Sequence, residues 1–202
     1  MIHSYLTIAG SSQGLYKEKG SKFLGYAYPV TTTDGVKELL LNLQKLHHQA
    51  RHHCYAYVLG FDGQVYRSND AGEPRHSAGD PILRQIRAHN LTNVLVVVVR
   101  YFGGSKLGIG GLTQAYKEAS KSAIENGKIV EKELSETWEL TFNYPEMNSV
   151  MGVIKELNLN ILNQELTTLC IILLEVPHSA KDLFQERCSR IKKVRLQPQA
   201  NS

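Results

Sequence analysis

The segment of this chain best suited to chemistry is rich in glycine and lies at residues 103–111, directly after an apolar run at 94–99. Glycine lets the backbone turn its N–H groups toward a ligand, and a helix start adds unsatisfied donors with a partial positive charge. A strand, a glycine loop and a helix in this order can therefore cradle an anion. The residues predicted to do so are Gly103, Gly104, Gly108, Gly110 and Gly111, with the flanking cations Arg100 and Lys106.

The same segment has a second interpretation, because it matches neither of two common phosphate-binding motifs. No glycine precedes a Lys-Ser or Lys-Thr pair at the P-loop spacing, and Thr113 stands where the dinucleotide fingerprint needs glycine. A tight strand-to-helix turn, in which the glycines permit close packing, explains the pattern as well as anion binding does.

Four histidines lie between residues 47 and 53. His48 and His52 would share a face on a continuous helix and could then hold a metal ion. A metal site needs a third ligand, and no acidic or cysteine residue stands at a recognised spacing. The sequence therefore favours solvated or hydrogen-bonded histidines and no metal. Cys54 is interpreted as a packed core thiol rather than a nucleophile.

A polar stretch at residues 68–81 predicts a long ordered loop between a strand and a helix. Asp70, Glu73, His76 and Ser77 could suggest acid–base or hydrolytic chemistry, but close spacing in sequence does not make a catalytic triad. The alternative is a loop held by hydrogen bonds from its own Asp and Ser side chains. We favour a binding surface over catalysis here and predict no catalytic residue.

Composition limits the classes of protein that this chain can represent. It has 202 residues and a net charge of +4, which permits contact with nucleic acid without demanding it. No apolar run is long enough for a membrane span, and the first residues do not resemble a secretory signal. The three cysteines are far apart and form no disulfide framework. We therefore expect a cytoplasmic protein that does not contact a membrane.

Composition and pattern predict a boundary near residue 135, with domains at 1–135 and 136–202. The second domain shows the order βαββαβ, which is typical of the ferredoxin-like fold. Its strands are predicted at 138–144, 159–166, 168–176 and 191–196, and its helices after Pro145 and at 179–190. The first domain is predicted as mixed α/β, with strands at 22–30, 54–61, 64–67 and the 94–99 run. One helix is predicted to be capped by Asp34, and two others are predicted to start at Pro81 and Leu112.

Four blocks of this sequence together resemble the YigZ/IMPACT family, and the resemblance extends over essentially the whole chain. They are Gly20–Phe23, Ala50–Tyr57, Asp70–Gly79 and Arg100–Leu112. The chain departs from the family pattern at Ala71, where a second acid is usual, and also at His76 and Ile109. A role that needs two adjacent carboxylates at Asp70 and the next position is therefore not implied.

The resemblance implies an α+β protein with two domains. The first would be an α/β sandwich like a small-subunit ribosomal protein domain and domain IV of elongation factor G, a fold also found in the GHMP kinases. The second would be a ferredoxin-like domain similar to domain V of elongation factor G. Eukaryotic IMPACT relatives regulate translation under amino-acid starvation by competing for a kinase activator, so the resemblance implies a role in translation.

The leading hypothesis is a non-enzymatic protein that binds RNA or ribosomes, without a cofactor, and regulates translation. Lys22 and Arg75 would assist the glycine segment on phosphates. Tyr101 and Phe102 would stack on bases or lie in the core. If the loops form one site, the residues expected to line a single cleft are His52, Asp70, Glu73, Ser77, Tyr101 and Lys106. Two alternatives stay open. One is an enzyme or binding protein for a phosphorylated small molecule that uses the glycine-rich loop, with Asp70 or Glu73 as base. The other is a module that binds only a protein partner.

Overall fold

The valine run forms the central strand of a five-stranded sheet in the computed structural model, which describes residues 4–199. This strand, Val94–Tyr101, is fully buried from Val94 to Val99, on both faces of the sheet. A continuous apolar run is what a strand covered on both sides requires.

The chain divides into two compact units, residues 4–132 and the described residues from Glu133 onward. The strands of the first unit are β1 (Ser4–Ile8), β2 (Ser12–Glu18), β3 (Ser21–Pro29), β4 (His52–Leu59), β5 (Val65–Asn69), β6 (Val94–Tyr101) and β7 (Ile129–Glu133), whose last residue belongs to the second unit. The helices are α1 (Thr33–Leu46), α2 (Gly79–Ala88) and α3 (Gly108–Glu125). The five-stranded sheet has the order β2-β3-β6-β4-β5, and all its neighbouring strands are antiparallel.

Helices cover both faces of this sheet. On one face α2 and α3 pack against the strands, and Leu112, Ala115, Tyr116 and Ala119 of α3 are buried there at helical spacing. On the other face α1 buries Val36 and Leu43 against a separate apolar cluster. The prediction that Asp34 caps α1 is wrong, because the side chain of Thr32 accepts the hydrogen bond from the backbone N–H of Gly35.

A small two-stranded sheet pairs β1 with β7. These two strands and β2 are not among the strands predicted from the sequence. The helices α2 and α3 also begin before the predicted positions, α2 at Gly79 and α3 at Gly108.

The second unit contains β8 (Ser135–Asn143), α4 (Met147–Glu156), β9 (Asn160–Leu166), β10 (Leu169–Pro177), α5 (Lys181–Ser189) and β11 (Arg195–Pro198). The strands form an antiparallel sheet of order β11-β8-β10-β9. Alternate residues of β8 and β10 are buried beneath the helices, among them Trp138, Leu140 and Phe142. The chain is thus a mixed α and β protein in two parts, as predicted. None of the helices in residues 4–199 is long and apolar enough to cross a membrane.

Candidate nucleic-acid interface

The carboxylate of Asp70 holds the loop between β5 and α2 in place. Its Oδ1 accepts hydrogen bonds from the backbone N–H groups of Ala78 at 3.0 Å and Gly79 at 2.8 Å, and its Oδ2 accepts one from His76 at 2.8 Å. These donors lie at the start of α2, where backbone N–H groups lack partners within the helix. The buried Ser77 donates to the carbonyl oxygen of Pro74 at 2.6 Å. Asp70 and Ser77 therefore have structural roles, and neither is free to act on a substrate.

Glu73 lies under the loop in a buried cluster with two partners. Its Oε1 accepts from Arg100 Nη1 at 2.7 Å and from the Tyr116 hydroxyl at 2.8 Å. The side chains of Glu73 and Arg100 are only 4% and 8% exposed. The positive charge of Arg100 is thus already matched inside the protein. Arg100 is not the freely available phosphate ligand that the sequence predicts, and Glu73 is not a free base.

One buried donor of Arg100 lacks a hydrogen-bond partner within residues 4–199. Its Nε is buried and has no hydrogen-bond partner among the described residues. The guanidinium carbon lies 5.4 Å from the ring centre of Phe23 and 5.5 Å from that of Phe102. A buried donor without an acceptor costs about 1–3 kcal/mol. The Arg100 Nε is therefore an unsatisfied donor inside the protein and not an exposed contact for a ligand.

Cys54 lies at the bottom of the same cluster and is fully buried. Its thiol is 2.9 Å from the carbonyl oxygen of Asp70. Burial raises the pKa of Cys54 to about 12 and also raises the pKa of the neighbouring Tyr116. At neutral pH the sulfur is a protonated thiol inside the core, so the structure gives it no role as a nucleophile.

The histidines do not form a metal site. Helix α1 ends at Leu46 and β4 begins at His52, so His48 and His52 share no helix face. His47 instead bridges two tyrosines, with Nε2 2.7 Å from the Tyr26 hydroxyl and Nδ1 2.9 Å from the Tyr101 hydroxyl. Burial lowers the pKa of His47. Within residues 4–199 no group of three or more His, Cys, Asp or Glu side chains is placed to hold a metal.

The glycine segment does not form one continuous loop. Its first glycine permits close packing, and its last three form the start of a helix. Gly103 lies against the backbone of the turn between β2 and β3, where an added Cβ would lie 1.9 Å from the carbonyl carbon of Gly20. Gly104 and Gly108 have φ values of +89° and +72°, which favour glycine. Helix α3 starts at Gly108, so Gly108, Gly110 and Gly111 belong to its first turn and the loop is shorter than predicted.

The start of α3 nevertheless stays open. No side chain caps it, its first turn holds no acidic residue, and an added Cβ on Gly104, Gly108 or Gly110 would meet no atom within 4 Å. Lys106 is exposed in the loop before it. Anion binding at this turn therefore stays a prediction for every glycine except Gly103. A glycine at position 103 is explained by its close packing against the backbone of Gly20.

Two surface clefts meet at the end of β6. The first, here called the lysine cleft, has a volume of about 560 Å³ and is lined by Leu15, Lys17, Gly20, Lys22, Leu24, Tyr101 and Phe102. The second, the arginine cleft, has about 430 Å³ and is lined by Gln49, Arg51, His52, Arg100, Tyr101 and Phe102. The two clefts share Tyr101 and Phe102, and Phe102 is 60% exposed. No carboxylate is among these lining residues.

These clefts contain only part of the predicted site. Lys22, His52, Arg100 and Tyr101 line them, whereas Asp70, Glu73, Ser77, Lys106 and the exposed Arg75 do not. These two clefts do not contain the two carboxylates of the expected single cleft, because Asp70 binds backbone N–H groups and Glu73 binds Arg100 and Tyr116. Sequence reasoning also missed Lys17, Gln49 and Arg51. The pairing of neighbouring strands could have identified two of them. Lys17 lies opposite Lys22. Arg51 directly precedes His52, which lies opposite Arg100.

The fold and these loops define a two-part α and β protein whose first unit places basic and aromatic side chains at the end of β6. The Impact N-terminal domain family matches residues 19–124, and the chain belongs to the IMPACT family. IMPACT family member YvyE of Bacillus subtilis is 31% identical over 156 residues, which cover 77% of this chain and 72% of that relative. IMPACT family member YigZ of Escherichia coli is 26% identical over 97% of both chains.

The fold is shared over the full length. A crystal structure described as that of a hypothetical protein matches with a TM-score of 0.75 at 24% identity, and the match covers 100% of both chains. The fold of this chain is therefore also found in that protein.

Proposed function

We propose that this protein is a non-enzymatic RNA-binding regulator of translation that holds single-stranded RNA across the end of β6. The observation that carries the proposal is the position of Phe102. Its ring is 60% exposed and stands between the lysine cleft and the arginine cleft. Lys17, Lys22 and Arg51 line the two clefts, and none of them forms an ion pair within residues 4–199.

This arrangement has the parts that single-stranded RNA needs. Such sites combine a positively charged groove for the backbone with aromatic rings on which bases stack. The charge of the chain is concentrated in the unit that holds the clefts. Residues 4–132 contain 16 Lys and Arg against 10 Asp and Glu, a net charge of +6. The first unit therefore attracts a polyanion more strongly than the whole-chain charge indicates.

Translation is the process in which we place this RNA binding. The support is the IMPACT family resemblance together with the fold. We assign the first unit to the class of elongation factor G domain IV and the ribosomal protein domain. We assign the second to the ferredoxin-like class, which its βαββαβ order and its antiparallel β11-β8-β10-β9 sheet support. Such a role implies a cytoplasmic location and a ribosomal or RNA partner.

The proposal is non-enzymatic because the two candidate bases are engaged elsewhere. Asp70 binds three backbone N–H groups, and Glu73 binds Arg100 and Tyr116. Neither lines the lysine cleft or the arginine cleft. A kinase-like reaction at the glycine segment would need a base that the described site does not offer.

The test is binding of a fluorescent single-stranded RNA oligonucleotide, measured by anisotropy between low and moderate salt. The affinity of the wild-type protein should fall as salt rises. Each of Lys17→Gln and Lys22→Gln should reduce the slope of log K against log salt by about 0.7, the value for one phosphate contact on a single strand. Lys132→Gln removes the same charge from β7, away from the clefts, and should leave the slope unchanged.

Co-sedimentation at the same salt concentrations tests whether the protein binds ribosomes. Loss of the protein from the ribosomal pellet in the two cleft variants, but not in the β7 variant, is expected. Binding that does not depend on salt, or equal losses in all three variants, would refute the proposed interface.

A further inference from the structure

The arginine cleft has a size and a lining that differ from a simple phosphate site. Its volume of about 430 Å³ lies in the range of pockets that hold small organic molecules. Six residues line it, and they supply two guanidinium groups, an amide, an imidazole and two aromatic rings. A phosphate alone would use only the cations. The mixture indicates a ligand with an anionic part, a flat apolar part and hydroxyl or amide groups.

The flat part of the ligand has a platform in Phe102. This ring covers the guanidinium of Arg100 on one side, with a centre-to-carbon distance of 5.5 Å, and is still 60% exposed. A base that stacks on the exposed face of Phe102 would lie next to a cluster in which the Arg100 guanidinium contacts the rings of Phe23 and Phe102. Stacking of this kind is a common way for proteins to hold an unpaired base.

The anionic part has one freely available cation in Arg51, and the charge of Arg100 behind it is already matched by Glu73. Arg51 is exposed and unpaired among the described residues. Arg100 is buried, keeps one bond to Glu73 through Nη1 and has a second donor, Nε, without any partner in residues 4–199. A guanidinium is the group best shaped for a phosphate.

A hydroxyl group of the ligand has an acceptor in His52. Its Nδ1 lies 3.0 Å from the carbonyl oxygen of Ala71. Because a carbonyl oxygen only accepts, Nδ1 carries the hydrogen, and Nε2 of the neutral ring is the acceptor. A ribose hydroxyl is a donor of the required kind, and the amide of Gln49 can bind a base edge.

We propose that the arginine cleft binds one unstacked ribonucleotide, with its base on Phe102 and its phosphate on Arg51. This inference rests on the proposed function and names the unit of RNA that the site holds. A free nucleoside monophosphate presents the same base, ribose and phosphate. The same chemistry can therefore reach the cleft from a strand of RNA or from a mononucleotide.

The test is calorimetric titration of the full chain with AMP, with adenosine and with the tetranucleotide r(AAAA). Adenosine should bind about tenfold or more weakly than AMP, because it lacks the charged acceptor for Arg51. Arg51→Ala should weaken AMP by a similar factor and leave adenosine unchanged. Phe102→Ala should weaken all three ligands about fivefold or more, the range for loss of one stacked base. Arg67→Ala, an exposed arginine outside both clefts, is the matched control and should bind as wild type.

The outcomes separate this inference from the proposed function. Binding of AMP together with r(AAAA), both lost in the cleft variants, supports both. Binding of AMP without r(AAAA) supports the cleft and refutes the RNA proposal. If r(AAAA) binds and is weakened by Phe102→Ala, while Arg51→Ala keeps wild-type affinity for r(AAAA) and AMP does not bind, the inference is overturned and the proposed function stands.

Discussion

Replacing Glu73 by glutamine should destabilise the first unit strongly. The amide can still accept hydrogen bonds from Arg100 and Tyr116, so the change removes little except the negative charge. Arg100 would then carry a buried charge, 8% exposed, with no opposite charge beside it. Breaking one side of a buried ion pair typically costs about 3–5 kcal/mol, which is a large share of the stability of a domain. We expect a loss in this range for Glu73→Gln.

The measurement that localises the effect is native-state hydrogen exchange, read at the amides of β6. A double variant, Glu73→Gln with Arg100→Met, removes the uncompensated charge as well. It should recover most of the lost stability, since an apolar chain of similar length can replace a buried ion pair. Tyr116→Phe removes only one bond to the carboxylate and should cost about 1.5–3 kcal/mol. A cost for Glu73→Gln below about 1 kcal/mol, as for an exposed pair, would refute the reasoning, and so would a double variant no more stable than the single one.

Three further predictions concern other parts of the chain. The hydrogen bond from Lys181, followed by the charge of that lysine, holds the pKa of Glu136 below its usual 4.5. The ionised carboxylate therefore stabilises the fold above that pH, and this contribution is lost as the pH falls through the lower folded-state value. Glu136→Gln should flatten the rise of unfolding free energy between about pH 3 and 5 in urea titrations. Gly103→Ala should prevent normal folding because its Cβ would overlap the backbone of Gly20, whereas Gly110→Ala should be neutral or stabilising by up to about 1 kcal/mol in thermal melts. Cys54, with a pKa of about 12, should react with a thiol reagent only when the protein unfolds.

The sequence predicts the strongly patterned elements well. The valine strand and the helix that follows it have clear apolar patterns, as do β8, β10 and α4 of the second unit. The last strand lies at Arg195–Pro198 and not at the predicted 191–196. The strand at Ser12–Glu18 lacks such a signal, because it is polar and half-exposed along its length. The strand at Ile129–Glu133 is mostly exposed and pairs only with a short partner. These strands exist because of their partners in space, which local pattern does not reveal.

The chemistry of the candidate site shows the same limit. Residue type correctly marks Arg100 and Glu73 as charged groups near a loop. Their union in one buried ion pair depends on two segments that are 27 positions apart. The close packing of Gly103 against Gly20 joins segments that are still more distant. Reasoning from single residues therefore assigns free charges to groups that the fold has already paired.

The three hydrogen bonds to Asp70 also fix the length of the connection that they close. One carboxylate spans residues 70 to 79 and ends on the first amides of α2. Adding a residue there would move those amides out of register with both oxygens. The hairpin at Asp62, by contrast, is an exposed turn in which the Asp62 carboxylate accepts a hydrogen bond from the nearby backbone N–H of Gln64 at 3.2 Å and spans no long connection. A tag or a small inserted domain for imaging or capture of this protein therefore belongs at the hairpin, where it leaves the start of α2 undisturbed.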